Sequence, residues 1–139
     1  IDIIMKLNKK DKELIEKAFD AVEKGKLLKM KDFGEVGGAL ITSKGNIYTG
    51  ISTGFFCGMG SCGEYQAVGA MLSNGEKEID TIVAVERSDK VIMPPCGKCR
   101  EMIYQCDKKN LNTWVIISKS KKVKLKELLP HRWQELWNE

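Results

Sequence analysis

Strands alternating with helices along a chain of 139 residues predict a three-layer α/β/α architecture around a mixed sheet of about five strands. Three observations carry this. Leu14, Ile15, Ala18, Phe19 and Val22 recur at helical spacing. Two apolar runs flank Lys44-Gly45-Asn46, which has hairpin-turn chemistry, so the first strand pairing is antiparallel. Near-continuous apolar runs at 79–85 and 114–118 suit strands covered on both faces.

In order, the first helix is expected over 11–24, with Gly25 placed to end it. A lysine-rich link, 26–33, leads to strands at 36–42 and 47–52. The loop 53–61 holds Gly54, Gly58 and Gly60 together with Phe55, Phe56, Cys57 and Met59, and serves as a buried crossover or as a wall of a binding pocket. Cys62 opens a second helix to about residue 72, with Ala67, Val68 and Met71 spaced for burial and Asn74-Gly75 closing it. After the strand 79–85, Pro94 and Pro95 break the chain, and a third helix runs over 97–106. A strand at 114–118, another lysine-rich link and a short helix at 125–129 stopped by Pro130 complete the order, and His131, Trp133 and Trp137 are spaced for a packed C-terminal helix.

Hydrophobic residues make up 42% of the chain, enough at this length for a core without disulfide staples. No repeat or linker divides it, so one domain over 1–139 is expected; if Met5 is the true start, residues 1–4 are a remnant that precedes it. No run has the length of a membrane-spanning helix and no secretion signal opens the chain, which points to a cytoplasmic protein without a membrane partner. The net charge of +4 comes mainly from spread lysines, read as solvated faces. A nucleic-acid polymer would call for arginines and interleaved aromatics, which these stretches lack.

Five cysteines is an odd number, and the close pair Cys96 and Cys99 reads as metal or redox chemistry before a disulfide framework. Such a pair grips one ion from a helix start, and a third cysteine, Cys62, would leave one tetrahedral position open for chemistry. Glu64, two residues past Cys62, is placed to reach a metal-bound water without binding the metal. A ligand, one residue, Glu and a later Pro-Cys-x-x-Cys is the arrangement of zinc deaminases.

The stretch 36–130 resembles the cytidine deaminase superfamily, above all its small tetrameric cytidine and blasticidin S deaminases. The matched pieces are Val36-Gly37-Gly38-Ala39-Leu40, Cys62-Gly63-Glu64, Pro95-Cys96-Gly97-Lys98-Cys99-Arg100 and Glu127-Leu128-Leu129-Pro130, in family order. The resemblance implies hydrolytic deamination of a small cytosine-type substrate, with Zn2+ held by Cys62, Cys96 and Cys99 and with Glu64 as proton shuttle. It also implies that the Gly63 N–H holds the ring carbonyl and that the Pro95 carbonyl receives the departing amino group. The assembly it implies is a homotetramer, in which Trp133 is a candidate lid on a neighbour's pocket. Three thiolates overcompensate the metal's charge; helix starts near Cys62 and Cys96, and Arg100 hydrogen-bonding a ligand sulfur, are the expected offsets.

Departures from the pattern bear on substrate. Gly50-Ile51-Ser52-Thr53-Gly54 lacks the Asn and Glu with which the small cytidine deaminases hold ribose, and Cys-Ala-Glu-Arg becomes Cys-Gly-Glu-Tyr with Tyr65. A modified cytosine nucleoside or nucleoside antibiotic is therefore expected over plain cytidine, with Ser52 as a candidate contact. Cys57 is read as a small apolar loop residue and Cys106 as core. The rivals are a non-catalytic structural zinc or ligand-binding module, with Cys57 as the fourth zinc ligand, and a thioredoxin-like redox role; both leave Glu64 without a purpose. A deaminase of tRNA or single-stranded DNA does not fit the all-cysteine ligand set.

Overall fold

The computed structural model describes residues 3–137, the side chains of 136 and 137 excepted. Its elements are β1 (Ile4–Lys6), α1 (Lys9–Lys26), β2 (Val36–Thr42), β3 (Ile47–Ile51), α2 (Gly63–Ser73), β4 (Ile79–Glu86), β5 (Val91–Met93), α3 (Gly97–Cys106), β6 (Trp114–Ile116), β7 (Lys121–Lys124) and α4 (Leu125–Leu128), with short 3-10 turns at Lys108–Asn112 and Trp133–Trp137. Among the described residues the sheet has seven strands where about five were expected, ordered β1-β7-β6-β4-β2-β3, with β5 also pairing β4. Only β4 and β6 run parallel among the pairs, so the sheet is mixed.

Alternation along the central strands loads both faces. Leu40 of β2, Ile82 of β4 and Val115 of β6 pack with Ala67, Val68 and Met71 of α2 and Ile103 of α3. Their neighbours Ala39, Val83 and Ile116 turn to the other face, against Leu14, Ala18 and Val22 of α1. The result is helix, sheet, helix, as expected from period-2 strands buried on both sides.

Several boundaries differ from the sequence expectation, each for a local reason. α1 begins earlier because Asn8 and Asp11 form a reciprocal capping box. Gly25 lies inside that helix, and a Cβ there would come within 3.3 Å of Gly34 Cα and of Ile51 Cδ1, so close packing accounts for its place. Ile4 belongs to β1 and pairs with Val123 of β7; Ile1 and Asp2 lie outside the described residues. The second lysine-rich link is β7, in which Val123 enters the core and Lys122 is buried against Asp11 at 2.8 Å. The tail is a 3-10 turn with Trp133 half exposed, and His131 has a left-handed backbone (φ 52°), so no packed C-terminal helix forms over the described residues. Trp137's side chain, Asn138 and Glu139 lie outside the described residues.

Candidate active site

Two helix starts converge above the middle of the sheet. Cys62 is the N-cap residue of α2 and Cys96 that of α3, both with extended backbone and neither using its side chain as a cap. Cysteine is a poor capping residue, so its use at both starts leaves sulfur free for other chemistry. Cys99, one turn into α3, is buried.

The first start is seated by backbone contact. A Cβ on Gly38 would stand 2.7 Å from Glu64 N, one on Gly50 would stand 2.6 Å from Ala67 N, and one on Gly63 would stand 2.8 Å from Gly38 N. Glycine at all three lets α2 lie against β2 and β3 at a distance no side chain would permit. Ahead of it, loop 53–61 is pinned at its base. Thr53 and Ser61 exchange backbone hydrogen bonds, and Gln66 Nε2 donates to Ser61 Oγ.

Within this frame Cys62 Sγ and Cys99 Sγ lie 2.8 Å apart. Ligand atoms of Cys62, Glu64 and Cys99 all fall within 4.8 Å of one another. The hydrogen bond from Cys99 draws the Cys62 thiol down to about 7; burial opposes this and the Tyr65 backbone N–H assists it. The same bond, then burial and the nearby charges of Glu64, Cys62 and Cys96, push Cys99 up. Glu64, 5% exposed, is raised by burial, with its own N–H and the Cys99 thiol pulling back. A carboxyl so placed is suited to hold a proton and pass it on.

The other expected residues fall as follows. Cys96 is exposed beside the cluster and outside its tightest group. Pro95 is buried and, with Glu64, borders a small apolar recess floored by Ile82, Val83, Ala84 and Val115. Arg100 meets carbonyls where a ligand sulfur was expected: Nε donates to Pro95 O at 2.7 Å and Nη1 to Leu128 O at 3.2 Å. Ser52 Oγ accepts the Val36 N–H at 3.0 Å, so this short side chain is folded onto the strand end. Gly63 is buried at the first turn of α2. Cys57 is exposed, with φ 61°, and is outside the cluster; Cys106 packs at the edge of the core. Trp133 lies on the tail, beyond α4.

Sequence reasoning did not find the glycine seat, Arg100's acceptors or Asn110, a buried side chain that accepts from Ile79 N and donates to Lys77 O and Ile103 O. For the seat a signal existed: glycine recurs at 37, 38, 50 and 63 in runs otherwise suited to regular structure.

A buried acid beside paired thiols at two helix starts, on a mixed sheet, is a cluster whose ligand atoms could hold a metal ion next to an acid. The comparisons name the family. Residues 8–115 match the cytidine and deoxycytidylate deaminase zinc-binding region. A blasticidin-S deaminase from Bacillus cereus is 37% identical over 105 residues, covering 70% of this chain and 73% of that protein. Among solved structures, cytidine deaminase from Mycobacterium tuberculosis superposes with TM-score 0.72 at 21% identity, over 88% of this chain and 95% of that one. The enzyme from Burkholderia pseudomallei gives 0.71 at 24%, over 91% and 100%. The chain belongs to the cytidine and deoxycytidylate deaminase family and is, at that level, a deaminase.

Proposed function

We propose that the protein is a zinc-dependent hydrolytic deaminase of a cytosine-type nucleoside, with a modified nucleoside or nucleoside antibiotic preferred over plain cytidine. The observation that carries this is the buried Glu64 carboxylate held within 4.8 Å of the thiols of Cys62 and Cys99. The donor set fits zinc: soft sulfur ligands from two helix starts, with Cys96 as the third, leave one tetrahedral position for a non-protein ligand. Zinc, when bound, supplies the Lewis acidity that makes water a nucleophile near neutral pH.

The remaining roles belong to the chain. Glu64 takes a proton from the attacking water, delivers it to the ring nitrogen and assists the amino group to leave as ammonia. Its burial supports this, because a raised pKa lets the carboxyl hold the proton between transfers. The Gly63 N–H is assigned to the ring carbonyl and the Pro95 carbonyl to the departing amino group. Positive helix starts offset thiolate charge, consistent with the Tyr65 N–H acting on Cys62.

Substrate preference rests on the missing sugar partners. Ser52 is a short side chain whose Oγ accepts the Val36 N–H, so the strand end offers a ribose no long polar side chain. The likeness to a blasticidin-S deaminase supports the same direction. We assign a homotetramer as the working form. The recess at Glu64 and Pro95 has no enclosed space for a nucleoside, whereas Phe56 and Met59 stand 87% and 65% exposed on the neighbouring loop. An open groove of about 610 Å³ between α2 and α3, lined by Tyr65, Leu72 and Met102, offers an apolar face to a second copy. Trp133 is assigned as an aromatic lid on a neighbour's pocket.

The substrate reading is tested by ammonia release from cytidine, deoxycytidine, modified cytosine nucleosides and cytosine-containing antibiotics. Higher kcat/KM on a modified compound is expected; faster turnover of unmodified cytidine overturns the preference. Sedimentation of the pure protein checks the tetramer.

A further inference from the structure

The geometry points to Arg100 as a positioning residue that aims the Pro95 carbonyl and ties the start of α3 to the C-terminal segment. What the carbonyl does for substrate rests on the deaminase reading above; the tie itself does not.

The stretch between β5 and α3 has two successive residues without a backbone donor. Pro94 and Pro95 carry no backbone N–H, so neither can donate a hydrogen bond that would anchor the chain where it leaves β5. Arg100 supplies what is missing from the first turn of α3. Its backbone N–H donates to Cys96 O at 3.0 Å and its Nε–H to Pro95 O at 2.7 Å, so one residue holds two successive carbonyls. Its Nη1 then reaches Leu128 O at 3.2 Å. That carbonyl belongs to the last residue of α4, where a helix leaves acceptors without intrahelical partners. The next carbonyl, Leu129 O, is taken by Arg132 Nη1 at 3.0 Å, and Arg132 also lies over the Tyr104 ring of α3, 5.5 Å from its centroid. Two arginines thus close the end of α4, and one of them is anchored in the metal-binding motif.

Pro95 is buried and borders the same recess as Glu64, so the residue whose carbonyl Arg100 holds stands at the edge of the site. A guanidinium suits the task through its shape. Its planar fork presents Nε–H and Nη–H in fixed directions to two carbonyls, which a lysine ammonium on a flexible stem does not reproduce. This separates positioning from charge: an electrostatic role would survive Arg100→Lys, and a fork would not.

The experiment compares Arg100→Lys and Arg100→Gln with the parent protein. Three quantities are read: kcat/KM for the preferred substrate, the inhibition constant of its deaminated product, which lacks the amino group, and the rate of zinc release to a chromogenic chelator. In both variants kcat/KM is expected to fall about 10- to 100-fold and zinc release to quicken, while product affinity stays within about twofold. Wild-type behaviour of Arg100→Lys overturns the inference, since charge alone then suffices. Equal weakening of substrate and product overturns it too, because that marks general loosening of the fold. If Arg100→Gln does not fold, Arg100→Lys decides alone. Should the parent protein release no ammonia from any cytosine compound, the deaminase reading fails, and unchanged zinc release in both variants then overturns the tie.

Discussion

The two helix starts that build the site are alike in sequence and opposite in construction. Each reads Cys-Gly, with cysteine as an N-cap residue that does not cap. At α2 the glycine is enclosed, and a Cβ on Gly63 would meet the backbone of Gly38 at 2.8 Å; at α3 a Cβ on Gly97 would meet nothing within 4 Å. Glu64 is buried behind the first, while Cys96 is exposed at the second and its approach is held by one guanidinium. The start carrying the buried Glu64 is therefore fixed by close packing of main chain. The start carrying the paired cysteines is instead met by the hydrogen bonds of Arg100 to Pro95 O and Leu128 O.

This contrast can be broken at graded cost. The largest effect is expected from the cysteines proposed as zinc ligands: Cys62→Ser should abolish stoichiometric zinc and with it turnover. Cys96→Ser, at the exposed start where water can enter, should bind zinc more weakly yet measurably; metal analysis after gel filtration checks both. Next, Gly63→Ala should destabilise the protein by about 1–3 kcal/mol, because the added Cβ meets the β2 backbone of Val36, Gly37 and Gly38. Gly97→Ala should be neutral or stabilise by about 0.4–1 kcal/mol, since the space is open. Thermal melting of the pair checks this, and equal shifts would erase the distinction between the two starts.

The smallest effect lies at the far end of α2. There Glu76 accepts from Tyr48 Oη at 2.7 Å and Asn46 Nδ2 at 2.9 Å, tying the β2–β3 hairpin to the helix end. Hydrogen bonds, that of Thr42 foremost and then Tyr48, hold its carboxyl below the ordinary 4.5. A depressed carboxyl pKa adds stability above the unfolded value, and that stability is lost as pH falls through the folded one. Tyr48→Phe should therefore move the acid-unfolding midpoint slightly upward, as followed by circular dichroism. An unchanged midpoint would show that this anchor contributes nothing to holding α2.

Much of this was legible in the sequence because it was written in period and in residue type. Alternating strands, the Lys44-Gly45-Asn46 turn and the helices after Cys62 and Cys96 all stand where periodicity puts them. What escaped was set by tertiary contact. β7 reads as a solvated link because three of its four residues are lysine, yet pairing with β1 and β6 buries Lys122 and Val123. Gly25 carries the composition of a helix end while serving as a contact surface for Gly34. Arg100 was expected on a sulfur from its neighbourhood in the motif, but its partners include Leu128, 28 residues away, which no local spacing reveals.

The central claim is that the cysteines and Glu64 form one catalytic unit, and it is tested most directly by measuring zinc content and ammonia release together in the parent protein and in Glu64→Ala. Stoichiometric zinc in both, with ammonia from the parent alone, is the predicted result. Zinc retained by a parent protein that releases no ammonia across a broad panel of amino-bearing bases and nucleosides would contradict it, as would undiminished ammonia release by Glu64→Ala.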